Sequence, residues 1–145
     1  MMSPLFWRDT RLWLAVLVAP LFWALLTLVM PLAGSAAVPF SDPLFYFQVA
    51  LLYPVLEELL FRGVLQGYLS ERLAGRAAGP LSLANLLTSV VFSLVHLIYR
   101  SGSTALLVFL PSLVFGYFRE RYAGLRIPIA LHCYYNAGFY FLFVS

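Results

Sequence analysis

The sequence predicts an all-α fold: a polytopic membrane helical bundle with about five transmembrane helices and a cytoplasmic N-terminus. Three observations predict it. Of the 145 residues, 63% are hydrophobic and only 10% are charged, where a soluble domain carries about 25% charge. Five stretches approach the ~20 apolar residues that a helix needs to cross a hydrocarbon core of ~30 Å. Positive charge alternates from one connector to the next, which is the pattern of the positive-inside rule. The same composition excludes disorder, which needs low hydrophobicity and high charge. It also excludes a soluble globule, which could not keep so much apolar surface from water.

The five stretches run over 12–32, 44–69, 81–99, 104–118 and from 128 to the C-terminus. Backbone groups in lipid must pair internally, so each is expected to be helical. The first is too long for a signal-peptide core and reads as a retained signal anchor. Trp7 and Trp13 flank its start, as interfacial aromatics do. All nine basic residues are arginines. Arg8 and Arg11 precede the first stretch, Arg72 and Arg76 follow the second, Arg100 follows the third, and Arg119, Arg121 and Arg126 follow the fourth. With the N-terminus inside, seven arginines face the cytoplasm and one faces out. Arginines confined to connectors do not form a nucleic-acid face. With no repeat or linker, residues 1–145 read as one membrane domain. Residues 1–43 are its N-terminal anchor span and 44–145 its catalytic core. The lone Cys133 excludes an internal disulfide and a cysteine zinc cluster and reads as a packing residue.

Charge at membrane depth costs at least ~2.5–3.5 kcal/mol per residue, so its presence needs a reason. The second stretch carries Glu57, Glu58 and Arg62, the third His96, and the last His132 and Asn136. Glu58 and Arg62 stand at i, i+4, the favourable order for an ion pair. Glu57 points about 100° away from that pair. His132 and Asn136 also stand at i, i+4 on one face. So many polar groups in so apolar a chain are expected to converge on a wet cavity. A low-dielectric site favours proton uptake by a carboxylate, so Glu57 suits general-base duty. A histidine can share its water, and a second histidine with an amide can hold an oxyanion. No serine sits in a nucleophile-elbow context. Two His and a Glu also match a catalytic zinc shell, but without the H-E-x-x-H spacing that puts both histidines on one helix.

These residues carry a resemblance. Glu57-Glu58-Leu59-Leu60-Phe61-Arg62 looks like the EExxxR motif of the CPBP intramembrane proteases, the CAAX protease and bacteriocin-processing, Rce1-like family. Phe92 to His96 resembles their FxxxH motif, and His132 to Asn136 their third motif, a His followed four residues later by Asn. The resemblance covers roughly 44–145 and leaves the first span outside. It implies that Glu57 and His96 activate water, that His132 and Asn136 stabilise the oxyanion, and that Glu58 and Arg62 are the supporting pair, with no metal. About five spans, against about eight in CAAX-processing members, set this chain apart from prenyl-protein processing. It looks most similar to small bacterial glutamic proteases of the JDVT-CTERM kind, which act on C-terminal sorting tails. The Ala-, Leu- and Arg-rich, lysine-free composition suits a GC-rich bacterium and its inner membrane.

The expected function is therefore a multi-pass glutamic intramembrane endopeptidase acting on a membrane-anchored protein substrate. A zinc-dependent protease with the same residues stays open, as does a non-enzymatic membrane partner such as an immunity protein. Two local features complete the reading. Pro54, one turn before Glu57, is expected to kink its helix and free the Ala50 carbonyl. Gly63 and Gly67 are expected to let a neighbouring helix approach closely.

Overall fold

The computed structural model describes residues 6–28, 30–33, 38–73, 76–78, 80–99 and 103–144. Arg100, whose charge enters the orientation argument, lies outside them, as does most of the 101–103 connector.

Helices form where the sequence places apolar stretches. After a 3-10 turn at Phe6–Arg8, α1 spans Thr10–Leu26. Asp9 starts it by accepting from the Arg11 N–H at 3.1 Å, which satisfies one of the orphan donors of a first turn. Trp13 Nε1 donates to the Trp7 carbonyl at 2.6 Å, and both rings are more than half exposed. α1 ends six residues short of the apolar stretch. Thr27 Oγ1 donates back to the Ala24 carbonyl at 2.7 Å, and Pro31 lies ahead, disfavouring helix in the residue before it. A short α2, Val38–Ser41, leads to α3, Pro43–Arg72, a continuous 30-residue helix. Asp42 caps α3, accepting from the Phe45 N–H at 2.9 Å, with Pro43 in the first turn, where its missing N–H costs nothing.

An antiparallel pair of two-residue strands, β1 (Ala77–Ala78) and β2 (Leu81–Ser82), turns the chain. α4 spans Leu83–Tyr99. A 3-10 stretch at Ser103–Val108 runs into α5, Phe109–Arg121. α6 spans Arg126–Phe143, with Pro128 in its first turn. Among the described residues, α3 alone is both long and apolar enough to cross a membrane; α1 and α4 are shorter apolar helices.

The chain divides into two compact units. The first comprises residues 1–55 and 130–145, the second 56–129. In the second unit the usual arrangement of a globule is inverted. Its outer faces carry Val64, Leu94 and Ile98, at 65%, 51% and 77% exposure. Its interior holds Glu58, Arg62, Gln66, Asn85, Thr88, Ser89 and Ser112, each at 1% or less. Water would punish both faces of that arrangement, whereas lipid stabilises the first and forces the second to pair internally.

The polar interior is a ladder of residues spaced by four: 58, 62 and 66 on α3, 85, 89 and 93 on α4, and 112, 116 and 120 on α5. A spacing of four keeps each set on one helix face. Gln66 Nε2 donates to the Gly116 carbonyl at 3.1 Å and to Glu120 Oε1 at 2.7 Å. Asn85 Nδ2 donates to the Leu113 carbonyl at 3.0 Å. Ser89 Oγ donates to Asn85 Oδ1 at 3.2 Å, and Ser93 Oγ to the Ser89 carbonyl at 3.0 Å. Ser82 Oγ accepts from the Asn85 N–H at 2.9 Å and donates to Glu120.

In the second unit, Gly116 permits a close approach. A Cβ there would overlap the Asn85 side-chain amide and press on Gln66. The expectation for the Gly63–Gly67 stripe is corrected: a Cβ at Gly63 would make ordinary contact with Leu125, and one at Gly67 would meet nothing within 4 Å. Those two glycines face looser surroundings than a close helix crossing. Gly116→Ala is therefore expected to lower the folded yield in membranes at least severalfold, with Gly67→Ala matching wild type. Size-exclusion recovery after detergent extraction checks both.

Candidate active site

The site residues divide between the two units. Glu57, Glu58, Arg62 and His96 belong to the second; His132 and Asn136 belong to the first.

In the second unit, Arg62 Nη1 lies 3.2 Å from Glu58 Oε1, and both side chains are fully buried. The i, i+4 spacing makes this reach possible. The guanidinium is held from further sides as well. Nη2 donates to Ser112 Oγ at 2.7 Å and to the Ser112 carbonyl at 3.0 Å. The Phe92 and Phe115 rings lie 4.8 and 5.6 Å from Arg62 Cζ, close enough for cation–π attraction. Glu57 is half-buried.

His96 is half-buried on the same face of α4 as Phe92. Its Nδ1 lies 3.0 Å from the Phe92 carbonyl, and the two rings tilt against each other at 4.3 Å. A carbonyl can only accept, so Nδ1 is the donor in this contact.

α3 departs from α geometry on both sides of Glu57. Gln48–Leu52 and Leu59–Leu65 are π-helical. Such widened turns are rare and are often found at functional sites. The first ends two residues before Pro54, whose ring would otherwise clash with the carbonyl four residues back. Each π segment inserts a residue and so leaves one carbonyl without its helical donor. The Tyr53 N–H reaches the Gln48 carbonyl, and Pro54 has no N–H, so the carbonyl left over is that of Val49. In the second segment the Gln66 N–H reaches the Phe61 carbonyl, which leaves that of Arg62. Both leftover carbonyls receive a side chain. Asn136 Nδ2 donates to Val49 at 3.0 Å. Arg119 Nε donates to Arg62 at 3.3 Å. Val49 lies one residue before Ala50, whose carbonyl the missing Pro54 N–H is expected to free.

In the first unit, His132 is buried and Asn136 half-buried on α6. Two further contacts fix that helix. Tyr135 Oη donates to the Ala15 carbonyl at 2.6 Å, five residues before Pro20. Tyr46 Oη donates to the Ala137 carbonyl at 3.2 Å. The Trp23 ring lies where a Cβ on Gly138 would be and meets Tyr134 edge-on at 5.3 Å. α1 is thereby tied to the helix that carries His132 and Asn136. Gln66, Asn85 and Gly116 were not singled out from the sequence. Their signal was the spacing of four that continues from Glu58 and Arg62 to Gln66, and from Ser112 to Gly116. Within either unit, among the described residues, no three His, Cys, Asp or Glu side chains gather as metal ligands.

An apolar exterior around a buried ionic and amide interior defines a membrane-embedded protein. Comparison with protein-family models bears on which one. Residues 39–138 match the type II CAAX prenyl endopeptidase Rce1-like family, and the chain belongs to that family. It is a membrane protein of an intramembrane protease family. No curated protein and no solved structure matches it.

Proposed function

We propose that this chain is a glutamate-dependent intramembrane endopeptidase of a bacterial inner membrane. It would cleave a peptide bond near the membrane segment of an anchored protein, most simply a C-terminal sorting tail. The observation that carries this reading is the family match, whose span contains Glu57, Glu58, Arg62, His96, His132 and Asn136 together. The buried Glu58–Arg62 pair supports it by fixing one carboxylate structurally while Glu57 stays half-buried.

In this mechanism Glu57, assisted by His96, takes a proton from water. The hydroxide attacks the peptide carbonyl carbon, and His132 and Asn136 donate to the resulting oxyanion. The C–N bond then breaks, and the leaving amine takes up the proton that Glu57 received. In this reading the chain crosses the membrane about five times with its N-terminus in the cytoplasm, and the helices from α3 onward carry the catalytic groups.

Comparison of C-terminal peptides from host membrane proteins, with and without the chain, tests the function. A few proteins bearing hydrophobic tails should be shortened only when it is present. Identical termini in both would refute the protease reading. Metal content tests the chemistry. Protein extracted and dialysed against a chelator is expected to keep full activity at well under one zinc per chain. Activity that falls with chelation and returns with zinc would favour the zinc-dependent route.

A further inference from the structure

We infer that Pro54 and the Val49 carbonyl form a positioning device for Asn136. This inference builds on the proposed role of Asn136 as an oxyanion donor. Val49, Pro54 and Asn136 all lie in the first unit.

A primary amide carries two N–H donors in one plane with its carbonyl. Fixing one N–H by a hydrogen bond fixes the direction of the other. Asn136 uses one on the Val49 carbonyl at 3.0 Å, and the second then points in a set direction. A donor aimed in advance needs no reorganisation when charge develops. Asparagine has two side-chain torsions, and an unheld amide would sample several directions at a cost in rate.

The acceptor exists because of the sequence at 53 and 54. The Tyr53 N–H goes to Gln48, and Pro54 offers none. Alanine at position 54 would remove the ring that clashes with the carbonyl four residues back. The helix can then relax to α geometry, in which the Tyr53 N–H faces the Val49 carbonyl and competes with Asn136. The second π segment shows the same device built without proline, with Arg119 on Arg62. Pro54 is thus a positioning residue that acts through Asn136.

The test uses the full chain in detergent micelles, labelled with 15N-asparagine. The sequence contains two asparagines, Asn85 and Asn136, so two side-chain amides report, and Asn136→Ala assigns them. In wild type one Asn136 amide proton should exchange with deuterium more slowly than its geminal partner. In Pro54→Ala that proton should exchange more than tenfold faster, with the Asn85 signals unmoved and the folded yield retained. Unchanged Asn136 signals in Pro54→Ala would overturn the inference. Equal changes at both asparagines would overturn it too, since they would report general loosening. The amide measurement stands apart from the protease reading: a Glu57→Gln variant that still cleaves would defeat that reading while leaving the exchange result intact.

Discussion

Replacing Arg62 with alanine is expected to leave little folded protein in the membrane. The guanidinium holds Glu58, two acceptors of Ser112 and two aromatic faces, all out of contact with solvent. Its removal strands a buried carboxylate, and breaking one side of a buried pair costs about 3–5 kcal/mol. That is a large part of the margin of a small domain. The double variant Glu58→Leu/Arg62→Met is expected to recover part of the loss, because well-packed apolar replacements of a buried pair are often neutral or stabilising. Folded yield and resistance to denaturant in detergent micelles check both. If Arg62→Ala abolished turnover at wild-type yield, the structural assignment of the pair would be wrong and Arg62 would belong to the chemistry.

Glu57→Gln is expected to behave in the opposite way. The side chain is half-buried, where Glu58 and Arg62 are fully buried, and glutamine has the same shape, so the fold should persist. Glutamine keeps the shape and loses the base. General-base catalysis contributes on the order of 10²–10⁴-fold, and cleavage should fall by at least the lower figure. Glu57→Asp, which keeps a carboxylate but retracts it by one methylene, should fall less than the glutamine variant. Quantifying uncut and cut substrate at matched levels of folded enzyme separates the three proteins.

Helices were legible because apolar length is a strong signal, and the Glu58–Arg62 pair because helical spacing fixes which side chains meet. Where the reading stopped short, the reasons are local. The end of α1 at Leu26 rests on Thr27 bonding back to Ala24, which competes with an apolar run that continues to Leu32. The two π segments have no compositional mark. Pro54 hinted at a disturbance, but not that a widened turn would leave the Val49 carbonyl to Asn136. The serines and Asn85 of α4 looked like ordinary polar interruptions in an apolar run. Asn85 reaches the Leu113 carbonyl on another helix, and no single-helix pattern pairs them. Gly63 and Gly67 misled for the converse reason: a small-residue spacing permits close approach but does not supply the neighbour.

The family match and the buried ion pair leave Glu57 as the residue on which the catalytic account turns. C-terminal peptide mapping of the host's membrane proteins, with wild type and Glu57→Gln expressed at equal folded levels, tests it most directly. The account predicts a small set of proteins with hydrophobic C-terminal tails that lose them with wild type and keep them with the variant. The same termini in both, with the variant folded and present, would contradict it and turn attention to a binding role in the membrane.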